Sequence, residues 1–165
     1  MVKNRGFWLV ALMGVVGDRV TKIWVEQTME LGQSIPLIPN VFQFTYIENT
    51  GAAWSLFQNS GGFLKWISLA VALGLAALAI FGKPMGRWEQ AGYGFILAGA
   101  VGNGIDRFVS GAVVDFLDFV LIRFPIFNVA DIAINVGVAC LLLGLLLESK
   151  QPESKQLMPP SSEDS

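Results

Sequence analysis

Four stretches of this chain are apolar for long enough to cross a lipid bilayer, at about 6–25, 63–81, 90–106 and 127–147. A membrane helix needs about 20 mostly apolar residues. The third stretch is short and ends in the polar group Asn103, Asp106 and Arg107. Between the first and second lies a loop of different texture, about 33–60. There Val41-Phe42-Gln43-Phe44-Thr45-Tyr46-Ile47 alternates apolar and polar positions and is rich in aromatic and β-branched residues, which predicts a strand. Pro36, Pro39 and Asn40 precede it as turn signals, and Asn49-Thr50-Gly51 follows as another. The pattern predicts a membrane α-helical fold of four transmembrane helices, with a small extracytoplasmic β-sheet cradling the outer membrane surface. Residues 1–148 form one membrane-embedded domain. The Ser-, Pro- and Glu-rich tail, 149–165, is expected to be a disordered cytoplasmic end.

Charge orients the spans. Lys3 and Arg5 precede the first, Lys83 and Arg87 fill the connection between the second and third, and Lys150 and Lys155 follow the fourth. With four spans these regions share one side, which the distribution of Lys and Arg assigns to the cytoplasm. The loop carrying Glu26, Glu30 and Glu48, with no Lys or Arg before Gly62, then faces outward, as does the connection from about Asp106 to Pro125. The first stretch has the basic start of a signal peptide. No small-x-small cleavage site follows it, only Gly17-Asp18-Arg19-Val20-Thr21-Lys22, so an uncleaved span is expected.

Composition narrows the chemistry. The chain is 53% hydrophobic and 15% charged, against about 25% charged in soluble domains. A net charge of -2 without a basic stripe implies no nucleic-acid partner. The sequence has no His, which excludes Ser-His-Asp and Cys-His catalysis and His-ligated metals. Cys140 is alone within an apolar run, so an intrachain disulfide or Cys-metal cluster is excluded, and the residue reads as a small hydrophobe. Catalysis, if any, falls to carboxylates, with no cofactor or metal expected.

The polar residues gather at the outer ends of the spans. Asp18 and Lys22 stand four apart, and the simplest reading is a structural ion pair at the interface with Lys22 snorkelling. Asn103, Asp106 and Arg107 share a helix face, where Arg107 can neutralise Asp106. Asn128, Asp131 and Asn135 share another, with Asn128 as a candidate cap. Asp115 and Asp118 lie in an apolar segment expected to dip into the outer interface, one of them readable as a solvated loop acid. Ionisable groups at membrane depth are functional candidates by default. Two close aspartates that share one proton can activate water and protonate a carbonyl, which suffices for peptide hydrolysis. Spacing alone leaves other readings open. These are a proton-coupled carrier, a structural assembly factor held together by polar helix contacts, and a peptidase using Ser55 with Lys22.

Five segments in order carry a resemblance: Asp18-Arg19-Val20-Thr21-Lys22, Asn49-Thr50-Gly51-Ala52-Ala53-Trp54-Ser55, Gly102-Asn103-Gly104-Ile105-Asp106-Arg107, Val113-Val114-Asp115-Phe116 and Phe127-Asn128-Val129-Ala130-Asp131. Together they resemble the bacterial lipoprotein signal peptidase (signal peptidase II) family. The resemblance implies a multi-pass aspartic endopeptidase of the bacterial inner membrane, with both termini cytoplasmic and the site on the extracytoplasmic side. It implies cleavage of diacylglyceryl-modified prolipoproteins on the N-terminal side of the lipidated cysteine, and inhibition by globomycin. Asp115 and Asp131 match the catalytic dyad. Asp18, Lys22, Asn49, Gly51, Asn103, Asp106, Arg107, Asn128 and Ala130 match supporting or substrate-binding positions. Membrane lipid is the expected environment and a monomer the expected state. A lid is expected near Leu56 to Gly62 or Leu117 to Pro125.

Overall fold

The computed structural model describes residues 3–51 and 61–149. Trp54, Ser55, most of the first lid segment and the expected disordered tail after Ser149 therefore lie outside the described residues. Helix α1 spans Arg5–Thr28, strand β1 Ser34–Ile38, strand β2 Phe42–Asn49, helix α2 Gly61–Phe81 and helix α3 Arg87–Val109. Strand β3, Val113–Asp118, a short 3-10 turn, Val120–Ile122, and helix α4, Val129–Glu148, complete the order.

Helix α3 is the hub and packs against α1, α2 and α4, while α1 also touches α4. Its sequence explains this. Gly92, Gly94, Ala98, Gly99, Ala100, Gly102 and Gly104 give it small faces, and close backbone approach is what holds helices together in lipid. A Cβ at Gly94 would stand 2.8 Å from the Phe7 carbonyl oxygen of α1, and one at Gly137 of α4 would stand 2.6 Å from the Gly92 carbonyl oxygen. Helices α2 and α4 are long and apolar enough to cross a membrane. The sequence predicts four such spans, but α1 and α3 are interrupted by charges: Asp18, Arg19, Lys22 and Glu26 in one, Glu89, Asp106 and Arg107 in the other.

Those charges are arranged the reverse of a soluble helix. On α1, Leu9, Leu12, Met13, Val16, Val20, Ile23 and Trp24 are exposed, while Asp18 and Lys22 are fully buried. The apolar face looks outward and the ionic face inward.

At the opposite end of the bundle, Asn4 joins three elements. Its amide donates to the Ala79 carbonyl (2.9 Å) and accepts from the Met85 N–H (3.0 Å). The Lys3 ammonium donates to the Gly82 carbonyl, and the Gly6 N–H donates to Gln90 Oε1 (2.9 Å). Lys3, Arg5, Lys83 and Arg87 thus collect at one end.

The three strands form an antiparallel sheet in the order β1-β2-β3. The strand predicted over Val41–Ile47 is present but runs on to Asn49, which the sequence reads as a turn. The sequence pattern does not anticipate the other two strands. β1 contains Pro36, is exposed along its length and lies at the sheet edge, where a missing N–H costs least. β3 comes from the segment expected only to dip into the interface. Val25, Met29, Tyr46, Val114 and Phe116 form a buried cluster that fixes the sheet on the C-terminal end of α1. An edge-on Trp24–Phe44 contact of 5.5 Å adds to it.

Candidate active site

Strand β3 brings Asp115 to the helix that carries Asp131. On one side β3 pairs with β2, setting Asp115 opposite Ile47 and Val113 opposite Asn49. On the other side the Phe127 carbonyl accepts the N–H groups of Phe116 (3.0 Å) and Leu117 (2.8 Å), and the Phe127 N–H donates back to Leu117 (3.1 Å). Phe127 is two residues before α4, so the strand and the helix N-terminus are tied together.

That N-terminus is closed by side chains. Asn128 is the cap; its Oδ1 accepts the Asp131 N–H (3.0 Å), and Asp131 Oδ2 accepts the Asn128 N–H (3.1 Å). The two form a reciprocal capping box. Asp18 Oδ1, reaching over from α1, accepts the Ala130 N–H (3.0 Å). These bonds satisfy N–H groups that a helix start otherwise leaves without partners.

Both aspartates are then held by amides. Asp115 Oδ1 accepts from Asn128 Nδ2 (2.6 Å) and its Oδ2 from Asn49 Nδ2 (2.9 Å). Asp131 Oδ1 accepts from Asn103 Nδ2 (2.9 Å). The amides are joined in turn, since Asn128 Nδ2 also donates to Asn103 Oδ1 (3.0 Å). Burial pushes the Asp115 carboxyl from 3.8 up to about 7. The Asn49 bond opposes the rise, the neighbouring Asp131 charge adds to it, and Asn128 and Lys22 oppose it.

Asp115 and Asp131 line one cavity of about 550 Å³ together with Asn49, Asn103, Arg107 and Asn135. Its remaining wall is apolar, from Phe119, Ile122, Phe124, Pro125, Ile126, Phe127 and Ile132 among others. Part of the second expected lid segment, Leu117 to Pro125, thus borders this cavity.

Beneath it sits a buried ionic cluster. Lys22 Nζ lies 3.0 Å from Asp18 Oδ2 and 2.7 Å from Asp106 Oδ2, and donates to Asn103 Oδ1 (3.0 Å). Asp106 also pairs with Arg19 and accepts the Val114 N–H (3.4 Å).

Several sequence expectations change. The Asp18–Lys22 pair exists, but Lys22 does not snorkel; it is fully buried with the chain's own polar groups around it. The sequence pairs Arg107 with Asp106. Instead α1 supplies Lys22 and Arg19 to that carboxylate, and Arg107 turns to the cavity, donating to the Gly51 carbonyl (3.2 Å). The Gly51 N–H donates to Asn49 Oδ1 (2.9 Å), which turns the Asn49 amide nitrogen toward Asp115. Asp118 stays out of the site and binds Gln43 (2.7 Å) and Thr45 (2.8 Å) across the sheet. Sequence reasoning misses Arg19; a charge one residue from the Asp18–Lys22 pair is the available signal. Lys22 is too fully paired for the general base of a Ser–Lys peptidase, and Ser55 is outside the described residues.

The sequence model of the family described as Signal peptidase (SPase) II matches residues 10–147. A lipoprotein signal peptidase from Cyanothece sp. is 54% identical over 167 residues, covering 98% of this chain and 96% of its own. One from Microcystis aeruginosa is 60% identical over 142 residues, with 86% and 92% covered. A bacterial membrane enzyme, solved by the in meso method at 2.3 Å resolution, superposes with a TM-score of 0.81 at 33% identity. The match covers 91% of this chain and 93% of that one.

Proposed function

We propose that this chain, which belongs to the lipoprotein signal peptidase (signal peptidase II) family, is an aspartic endopeptidase acting through Asp115 and Asp131. Its substrates are diacylglyceryl-modified prolipoproteins, cut on the N-terminal side of the lipidated cysteine. The observation that carries this reading is the convergence of the two carboxyls on one cavity with a largely apolar wall, with Asp115 pushed up to about 7 by burial.

Below about pH 7 the pair holds one proton, which rests on Asp115. The Asp131 carboxylate takes a proton from a water as its oxygen attacks the scissile carbonyl carbon. Asp115 gives its proton to the carbonyl oxygen, and a tetrahedral diol forms. The C–N bond then breaks; Asp131 returns its proton to the leaving nitrogen and Asp115 recovers one from the diol. Asn49, Asn103 and Asn128 hold the two carboxyls as acceptors so that neither turns away. No metal or cofactor enters the scheme.

Helices α1 and α3 cross the membrane with α2 and α4, giving four spans in the bacterial inner membrane and a monomeric enzyme. Support comes from the apolar outer face of α1 and from the central place of α3. The collection of Lys3, Arg5, Lys83 and Arg87 at the end opposite the cavity supports cytoplasmic termini and an outward-facing site. The apolar cavity wall receives acyl chains, and globomycin-type cyclic peptides compete for the same space.

The test is cleavage of a diacylglyceryl-modified prolipoprotein by the purified protein in detergent, with Asp131→Asn and Asp115→Asn alongside. At position 131 an amide still offers an acceptor for the capping bond, so the variant is expected to fold and to be inactive. Cleavage by a folded Asp131→Asn protein removes the dyad from the mechanism.

A further inference from the structure

Lys22 is a cation with no exposed surface, and its ammonium has three partners: Asp18 at 3.0 Å, Asp106 at 2.7 Å and Asn103 Oδ1 at 3.0 Å. The first two neutralise it. The third has no charge to offer, and it is the amide whose other end donates to Asp131. An Asn side chain has one acceptor end and one donor end, and its orientation is set by what surrounds it. At Asn103, donors converge on the oxygen from Lys22 and from Asn128 Nδ2. The amide nitrogen is thereby turned toward Asp131, 2.9 Å away. Asn128 is locked the same way, because its oxygen accepts the Asp131 N–H and its nitrogen faces Asp115.

We propose that Lys22 is a positioning residue for catalysis: it fixes and polarises the Asn103 amide, so that a charge-assisted donor holds the Asp131 carboxylate in its working orientation. Lys22 never touches the substrate. A cation on the oxygen end of an amide makes its N–H a stronger donor, and bonds in such a chain reinforce one another. Two donors on the same oxygen divide the work. Asn128 selects the orientation along with Lys22, but only Lys22 brings charge. The inference rests on the dyad reading and specifies what supports one member of it.

Removing Lys22 alone would strand Asp18 in the interior, so the test removes charge in pairs. In Asp18→Asn with Lys22→Met, the amide placed at position 18 still offers an oxygen to the Ala130 N–H, and Asp106 retains Arg19. Asp18→Asn alone is the reference. The readout is prolipoprotein cleavage in detergent, with kcat and KM measured separately and folding followed by thermal denaturation. Against the reference, the paired variant is expected to lose roughly tenfold to a hundredfold in kcat, the scale of one hydrogen bond to a charged group, with KM within about twofold. Equal kcat in the two proteins overturns the proposal, and so does a change confined to KM. If the paired variant does not fold, Asn103→Asp takes its place, since it keeps an acceptor for Lys22 and removes the donor to Asp131. It is expected to bind substrate and lose kcat; full kcat overturns the proposal. Wild type run in parallel separates the two levels. No cleavage by folded wild type defeats the dyad reading itself. Cleavage by wild type, none by Asp131→Asn and undiminished kcat in the paired variant defeats the Lys22 inference alone.

Discussion

A single methyl group placed on the α3–α4 contact, outside the cavity lining, is expected to disable the site, because the two helices meet backbone to backbone. Gly137 faces Gly92 across this contact. A Cβ at Gly137 would lie 2.6 Å from the Gly92 carbonyl oxygen, 2.7 Å from Ile96 Cγ1 and 3.0 Å from the Ile96 nitrogen. Two of these atoms are backbone and cannot rotate away. Ordinary contact begins near 3.4 Å, so Gly137→Ala forces the helices apart by about 0.8 Å. Overpacking of this kind costs about 1–3 kcal/mol, which lowers Tm by roughly 3–10 °C in a chain of this size. The functional cost follows from where the helices lead. Asp131 sits six residues before Gly137, about 9 Å along α4, and is tied to Asn103 of α3 by a 2.9 Å bond that spans the same interface. A misplacement near 1 Å can cost about a hundredfold in rate, so a loss of roughly tenfold or more in kcat is expected. The assay is prolipoprotein cleavage together with thermal denaturation in the same detergent. Gly74→Ala on α2 is the comparison, since a Cβ there meets nothing within 4 Å and should leave Tm and rate near wild type. A Gly137→Ala protein with unaltered Tm and kcat would refute the claim that the α3–α4 contact sets the dyad.

The site itself sets three further outcomes. Asp115 is raised from 3.8 to about 7, so the folded protein holds its proton more tightly than the unfolded chain. Its stabilising contribution is complete below about pH 4 and is lost as pH rises through about 7; Tm should fall across that window in wild type and fall less in Asp115→Asn. Cleavage should also decline as pH rises through about 7, and a rate that keeps climbing above about pH 8 would contradict a proton resting on Asp115. Asn128→Ala removes a helix cap and a buried donor to Asp115 and should destabilise by about 2–3 kcal/mol. Asn128→Asp keeps an acceptor for the Asp131 N–H, and so should recover part of that stability while remaining inactive. Equal Tm losses for the two variants would show that the cap contributes little.

The apolar runs make the four helices legible, and the alternation from Val41 to Ile47 does the same for one strand. β1 and β3 are hidden for different reasons. An exposed edge strand needs no apolar alternation and tolerates Pro36, so its sequence looks like a turn. β3 is bounded by β2 on one side and by Phe127 on the other, and Val113 to Phe116 are all buried, so it lacks the apolar–polar alternation that marks a strand and reads as an apolar segment broken by Asp115 and Asp118. The polar residues of the site are visible as candidates in the sequence, but their partners are not. Sequence neighbours suggest Arg107 for Asp106, whereas the pairing is made by Lys22 and Arg19 from α1, far earlier in the chain. Local spacing fails here for a physical reason. When a helix turns its apolar side outward, its charges must be neutralised by whatever the bundle interior supplies, and that is decided by packing between helices. The small residues of α3 let α1 and α4 approach closely enough for Asp18 to reach the α4 N-terminus and for Lys22 to reach Asn103. The glycines and alanines of α3 are therefore what assemble the ionic floor beneath the two aspartates.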